Sequence, residues 1–145
     1  MENSTNHMCL KFDAKSVNEA FARMTIAAFM TDMNPTLEQM QDVKTAVSEA
    51  VTNAIIHGYD DESKQVELLC TKGKSKITIE VIDKGVGIEN IEEARQPFFT
   101  TKPEMERSGM GFAFMETFMD EVEVFSAIGQ GTRILMTKYI ERERE

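Results

Sequence analysis

Apolar residues recur at helical spacing in two segments of the N-terminal half. The first segment starts at Ser16, the expected N-cap, and Pro35 interrupts the pattern that follows. The second segment begins after Thr36, and Gln39 three residues later completes a capping box. Its apolar stripe consists of Met40, Val43, Val47, Ala50, Val51 and Ala54. Gly58 marks its expected end, so the pattern predicts two helices in this half.

The remaining pattern alternates between strand-like and helix-like segments. Strands are predicted at residues 8–12, 66–71, 77–82, 122–126 and 132–139, and a helix at residues 112–119. The stretch from residue 88 to 108 contains two prolines and predicts a long loop with no more than one helical turn. The sum is an α/β fold, a two-layer α/β sandwich with helices on one face of a mixed, mostly antiparallel sheet.

Composition narrows the class of protein. The 145 residues, 41% hydrophobic and 28% charged, fit one soluble domain that spans residues 1–145. The longest apolar run, residues 24–30, is far shorter than the ~20 residues that cross a bilayer, and the N-terminus lacks the order of a signal peptide. A net charge of −9 argues against unspecific binding to nucleic acid or membrane. Cys9 and Cys70 lack metal-binding spacing, so we expect two buried thiols in a cytoplasmic protein.

Two polar side chains lie opposite the apolar stripe of the second predicted helix. Glu49 and Asn53 are four residues apart and project from one face. A solvated surface is the ordinary interpretation, although Asn is a poor residue for a helix interior. The functional interpretation gives Asn53 one oxygen for Mg²⁺, whose other ligands are water and phosphate. Glu49 could then orient or deprotonate an attacking hydroxyl or water.

Two glycine signals follow this helix. Asp83 ends a predicted strand and precedes Gly85 and Gly87, so its carboxylate could accept a hydrogen bond from an adenine amino group beside open backbone. Gly109-x-Gly111 precedes a predicted helix whose first N–H groups could bind phosphate. A tight turn and a loop-to-helix junction are the alternatives for each signal alone. Their joint order resembles the Bergerat ATP site of histidine kinases, type II topoisomerases and a family of small serine kinases.

The loop between the two glycine signals carries Thr100, Thr101 and Lys102. Lys102 could meet phosphate charge, and a solvated turn before Pro103 is the alternative. His57 is expected at a helix C-terminus, where the macrodipole favours it.

Three strings resemble the bacterial sporulation anti-sigma-F factor family. They read VSEAVTNAIIHGY at residues 47–59, EEARQPFFTTKP at residues 92–103 and EMERSGMGF at residues 104–112. The string NEAFAR at residues 18–23 agrees, and the similarity runs from about residue 8 to residue 138. The second and third strings are specific to this family, whereas the general ATP-site boxes are not. Residues 60–74 and the tail after residue 139 depart from the family pattern, which leaves the chemistry unaffected.

The resemblance implies a protein with two activities. Members bind a sporulation sigma factor as a nucleotide-bound homodimer and keep it from RNA polymerase. They also use ATP and Mg²⁺ to phosphorylate a serine on an anti-sigma-factor antagonist, and ADP is the product. It also implies residue roles, with Glu49 as catalytic base, Asn53 as magnesium ligand and Asp83 as adenine contact. Further nucleotide-binding residues implied are His57, Gly85, Gly87, Thr100, Thr101, Lys102, Ser108, Gly109, Met110, Gly111 and Thr132. Implied partner-binding residues are Arg23, Thr52 and Arg107.

Three alternatives remain beside the sporulation kinase. A stress-response anti-sigma kinase of the same family would differ in the sigma factor it binds. A histidine-kinase catalytic fragment is disfavoured, because neither His7 nor His57 lies in the setting of a phospho-accepting dimerisation helix. An ATP-gated clamp that binds a sigma factor without kinase activity would need Asn53 and the glycines but not Glu49.

Overall fold

The computed structural model describes residues 5–58, 64–85, 87, 88, 91, 95 and 111–140, with the backbone alone at residues 57 and 58. Within these residues the strands are β1 (Asn6–Asp13), β2 (Gln65–Lys72), β3 (Lys76–Asp83), β4 (Glu121–Ala127) and β5 (Gly131–Tyr139). The α-helices of the described part are α1 (Asn18–Phe29), α2 (Leu37–Asn53) and α3 (Gly111–Phe118). A 3₁₀ turn covers Thr31–Met33, and a π-helical turn covers Ala54–Gly58.

The strands form one sheet in the order β1-β2-β3-β5-β4. Each of the four pairings between neighbouring strands in this described sheet is antiparallel. The predicted α/β fold with a mostly antiparallel sheet is confirmed, and the described part of the sheet contains antiparallel pairs throughout. Strand β5 lies between β3 and the edge strand β4. Because β3 and β5 are antiparallel neighbours, the end of β3 meets the start of β5.

The core lies between one face of the sheet and the helices. Strand residues alternate in burial, as in Val66, Leu68 and Cys70 of β2. They pack with the stripe predicted for α2, of which Val43, Val47, Ala50 and Val51 are fully buried, and with Ala46 of the same helix, which is also fully buried. The opposite face of the sheet carries polar side chains, including an ion pair between Arg133 and Glu80. This division of apolar and polar faces fixes the register of the strands.

The two predicted N-caps differ in outcome. Thr36 Oγ1 accepts the Gln39 N–H at 3.0 Å, and Gln39 Oε1 accepts the Thr36 N–H at 2.9 Å, which confirms the capping box. The prediction of Ser16 as N-cap is wrong, because α1 starts at Asn18 and its N-cap position is Val17, without a side-chain cap. Asn18 Nδ2 donates to the carbonyl of Asp13, the last residue of β1, at 2.9 Å. Asn18 is therefore bonded to the end of β1, and the helix starts two residues after Ser16.

Two lysines connect strand ends to helix C-termini. Lys72 Nζ donates to the carbonyl of Phe29, the last residue of α1, at 2.6 Å. Lys138 Nζ donates to the carbonyl of Phe118, the last residue of α3, at 2.7 Å, and lies 3.1 Å from Asp42 Oδ2 of α2. Both cations satisfy carbonyls that the ends of helices leave unpaired. They join the helical layer to the sheet.

The cysteines differ in environment. Cys70 is buried in β2, and burial raises the pKa of its thiol to about 12. The prediction that Cys9 is also buried is wrong, because Cys9 alternates with the inward side chains Met8 and Leu10 and so faces solvent. None of the helices in the described ranges is long and apolar enough to cross a membrane.

Candidate functional site

A buried carboxylate lies where β3 ends. Asp83 is only 5% exposed, and it pairs with Thr132, the second residue of β5, which is 8% exposed. The Gly85 N–H donates to Asp83 Oδ1 at 2.9 Å. Burial raises the pKa of Asp83 to about 6, and hydrogen bonds from the Gly85 and Thr132 backbone oppose that rise. The side chain is therefore an acceptor that ionises near neutral pH, inside the fold.

Glycines allow two close backbone approaches around this carboxylate. Gly131 has φ +86°, and a Cβ there would lie 2.1 Å from the Asp83 carbonyl oxygen. Gly87 has φ +82°, and its Cβ would lie 2.1 Å from the Ala127 carbonyl oxygen. Both contacts are with backbone, which cannot rotate away. The backbone of the segment after Asp83 is therefore in close contact with the hairpin that joins β4 to β5.

A serine extends this contact. Ser126 of β4 pairs with Thr132, and their hydroxyl oxygens are 2.8 Å apart. Ser126 Oγ also accepts the Ile88 N–H at 2.8 Å and donates to the Gly131 carbonyl at 2.9 Å. A cavity of about 340 Å³ opens at these strand ends, and its lining includes Asp83, Ser126 and Thr132.

The acid and the amide of α2 are placed as the spacing predicts. Glu49 and Asn53 are both half-buried, one helical turn apart, with Thr52 beside them. Asn53 is the last α-helical residue, and the π-helical turn that follows contacts β3 and β5. Such turns occur frequently at functional sites. The Asn53 oxygen suits a hard cation, and the Glu49 carboxylate suits a proton acceptor. The turn that follows Asn53 contacts β3 and β5, the strands that carry Asp83 and Thr132.

The phosphate-binding prediction lies partly outside the described residues. Gly111 is the first residue of α3. This helix packs against α2 and buries its residues Phe112 and Met115. The predicted site residues Thr100, Thr101, Lys102, Arg107, Ser108, Gly109 and Met110 lie outside the described residues. His57 lies in the π-helical turn, and only its backbone is described. In the predicted loop, the Arg95 N–H donates to the Ile91 carbonyl at 3.1 Å, which is one helical turn.

The partner-binding prediction includes one described arginine. Arg23 on α1 is bonded through Nε to Glu19 Oε2 at 2.9 Å, and its side chain is 33% exposed. Phe21 and Met24 of the same helix are exposed and recur at one helical face, in line with exposed Val17 just before the helix.

Sequence reasoning missed Ser126 and gave no role to Gly131. Ser126 occupies an inward position of β4, in line with Val122 and Val124. A polar residue at the end of an inward-facing row is the signal that could have revealed it. Its partners depend on the pairing of β4 with β5, which the sequence alone does not specify.

Comparison with known families agrees with this geometry. A family model described as a histidine kinase-like ATPase domain matches residues 12–138. From this match and from the fold, the chain is a histidine kinase-like ATPase domain. Among relatives, the Anti-sigma F factor of Clostridium perfringens is 58% identical over 134 residues, which cover 92% of this chain and 96% of that protein. The Anti-sigma F factor of a Thermoanaerobacter species is 57% identical over 136 residues, covering 94% and 95%. The chain belongs to the anti-sigma F factor family.

Two solved structures share the fold at low sequence identity. The RsbU and RsbW domains of a Mycobacterium tuberculosis protein match with a TM-score of 0.69 at 18% identity, over 95% of this chain and 33% of that chain. The catalytic domain of the histidine kinase ThkA matches with a TM-score of 0.56 at 16% identity, over 94% and 99%.

Proposed function

We propose that this protein is an anti-sigma serine kinase that binds Mg-ATP and phosphorylates a serine of an antagonist protein. The observation that carries the proposal is the buried Asp83 carboxylate beside Thr132, in a histidine kinase-like ATPase fold. Burial of a carboxylate costs free energy, and a hydrogen bond from a ligand amino group would offset part of that cost. The likeness to anti-sigma F factors supports the kinase and the sigma-factor partner.

The proposed reaction is transfer of the γ-phosphoryl group. The serine oxygen forms a bond to the γ-phosphorus, the bond from that phosphorus to the bridging oxygen of ADP breaks, and Glu49 takes the serine proton. Asn53 would supply one oxygen to Mg²⁺, which would offset the charge of the phosphates when bound. Asp83 accepts from the adenine amino group, beside Gly85, Gly87 and Thr132. We assign the phosphates to residues 108–111 with His57, and the lid to Thr100, Thr101 and Lys102.

The proposal also includes the partners. A sporulation sigma factor would bind at a surface containing Arg23, Thr52 and Arg107, on a cytoplasmic homodimer of single-domain chains. Phe21 and Met24 of α1, with Val17 just before the helix, form an exposed apolar face that favours association, and Arg23 lies on another side of the same helix.

The test is phosphate transfer from labelled ATP to the antagonist protein by wild type and by Glu49→Gln. We expect wild type to label the antagonist, and Glu49→Gln to lower the transfer rate at least ~100-fold while ATP still binds, because only the general base is lost. Glu38→Gln, in the first turn of the same helix and exposed, is the matched control and should transfer normally.

Absence of transfer by wild type, together with nucleotide-dependent binding of a sigma factor, would replace the kinase with an ATP-gated clamp. Full activity of Glu49→Gln would retire Glu49 as the base and leave the kinase in place.

A further inference from the structure

Ser126 is the junction of three hydrogen bonds at the end of the sheet. Its Oγ lies 2.8 Å from Ile88 N, 2.9 Å from the Gly131 carbonyl oxygen and 2.8 Å from Thr132 Oγ1. Thr132 pairs with Asp83 across β5 and β3. Thr132 and Asp83 are the two proposed adenine contacts. Ser126 therefore contacts both the strand that carries Thr132 and the segment that follows Asp83.

The supply of protons fixes the direction of each bond. The Ile88 N–H can only donate, and the Gly131 carbonyl can only accept. The single Ser126 proton must go to the Gly131 carbonyl for that contact to be a hydrogen bond. The third contact is then a bond only when Thr132 Oγ1 donates its proton to Ser126 Oγ. One arrangement satisfies all three contacts.

That arrangement determines what Thr132 offers to a ligand. A hydroxyl that donates its proton to Ser126 keeps only lone pairs for other partners. The ionised Asp83 carboxylate is likewise an acceptor. Two acceptors at paired positions suit a ligand group with two N–H bonds, such as the exocyclic amino group of adenine.

We propose that Ser126 is a positioning residue that sets the selectivity of the nucleotide site for a base with an exocyclic amino group. The inference rests on the proposed function, since it concerns how the same site reads its nucleotide. Ser126 acts through Thr132, whose proton it accepts, and through Ile88, whose N–H it holds directly after Gly87.

The test compares the affinities of Mg-ATP and of Mg-purine riboside 5′-triphosphate, which lacks the amino group. We expect wild type to prefer ATP by about 100-fold, because the analogue leaves buried acceptors without their hydrogen bonds. In Ser126→Ala, Thr132 regains a proton that it can donate to ring nitrogen N1, which both ligands carry. The preference should therefore fall about tenfold, and Ser126→Thr, which keeps the hydroxyl, should restore it.

Two further variants separate positioning from a general loss of structure. Ser75→Ala, in the exposed turn between β2 and β3, makes the same chemical change and should leave the preference unchanged. Thr132→Val removes the hydroxyl through which Ser126 acts, so adding Ser126→Ala to it should not alter the preference further. Hydrogen exchange of the Ile88 amide should quicken in Ser126→Ala and stay slow in Ser126→Thr.

The outcomes distinguish this inference from the function on which it rests. An unchanged preference in Ser126→Ala, or an equal loss of both ligands, would overturn the positioning role while the nucleotide site stands. Failure of wild type to bind ATP at all would overturn the proposed function itself.

Discussion

Gly129, in the β4–β5 connection, and Gly131, the first residue of β5, have similar backbone angles, φ +79° and φ +86°. Their surroundings differ. A Cβ on Gly129 would meet nothing within 4 Å, whereas one on Gly131 would lie 2.1 Å from the Asp83 carbonyl oxygen. The pair therefore separates backbone strain from steric overlap.

We expect Gly129→Ala to lower the free energy of unfolding by about 1 kcal/mol, the cost of a left-handed conformation for an L-residue. Gly131→Ala should cost at least about 3 kcal/mol, because the overlap adds to that strain. Urea unfolding of both variants measures the two costs. Equal costs would mean that the strands separate freely at Asp83, and that Gly131 does not set their distance.

The pKa of Asp83 predicts a pH dependence of the proposed nucleotide site. Burial raises that pKa to about 6, so the carboxyl is mostly ionised at pH 7 and mostly protonated at pH 5. The ionised form is the stronger acceptor for an amino group. Affinity for ATP relative to purine riboside triphosphate should therefore fall about tenfold between pH 7 and pH 5, in proportion to the ionised fraction.

The triphosphate groups of the two ligands titrate alike, so the ratio of the two affinities isolates the contribution of the base. A ratio that stays constant from pH 5 to pH 7 would show that Asp83 does not accept from the amino group.

At the scale of elements, the two helix starts test where local sequence is sufficient. Thr36→Ala removes a side chain that accepts the Gln39 N–H at the start of α2, and should cost about 1 kcal/mol of unfolding free energy. Ser16→Ala, which changes a residue outside the N-cap position that Val17 occupies, should cost close to zero. Thermal and urea unfolding of the pair provide the measurement, and equal losses would contradict the assigned caps.

The same elements show which features the sequence predicts. Strand β3 was predicted at residues 77–82 and spans Lys76–Asp83, because its alternation is regular and its ends are polar. The α2 stripe and capping box are equally local. The π-helical turn after Asn53 has no local signal, because it depends on contacts with β3 and β5. The start of α1 differs from the prediction, because the N-cap position is Val17 and Asn18 bonds to the end of β1.

At the scale of the whole molecule, the site combines segments far apart in the chain. The sequence predicted the type and order of the groups, with Glu49, Asn53 and Asp83 each placed on the expected element. It did not predict that Ser126 meets Ile88, because that contact requires β4 to pair with β5 in one register. Local patterns specify elements, and the pairing of strands specifies which side chains meet.

The proposed sigma-factor surface gives a prediction at this scale. The Arg23 side chain is partly exposed and uses Nε to bind Glu19, while a guanidinium carries five N–H donors in all. We expect Arg23→Ala to weaken sigma-factor binding about tenfold in the presence of ATP, because interface arginines often contribute more than 1 kcal/mol. Nucleotide affinity should stay unchanged, since α1 contributes none of the proposed nucleotide contacts.

Lys11→Ala is the matched control, because it removes the same charge from an exposed position of β1 that faces away from the core. Pull-down and calorimetry with the sigma factor compare the two variants. Equal binding by Arg23→Ala and wild type would place the sigma factor on another surface.

The contrast between the two cysteines makes the native protein chemically addressable without mutation. Cys70 is enclosed in the core with a thiol that resists ionisation, whereas Cys9 lies exposed on the edge strand β1. A maleimide dye added to the folded protein would therefore attach at one defined position. Such a label would test the proposed homodimer by energy transfer between chains, at a sulfur that is distant in sequence from the residues proposed to bind nucleotide.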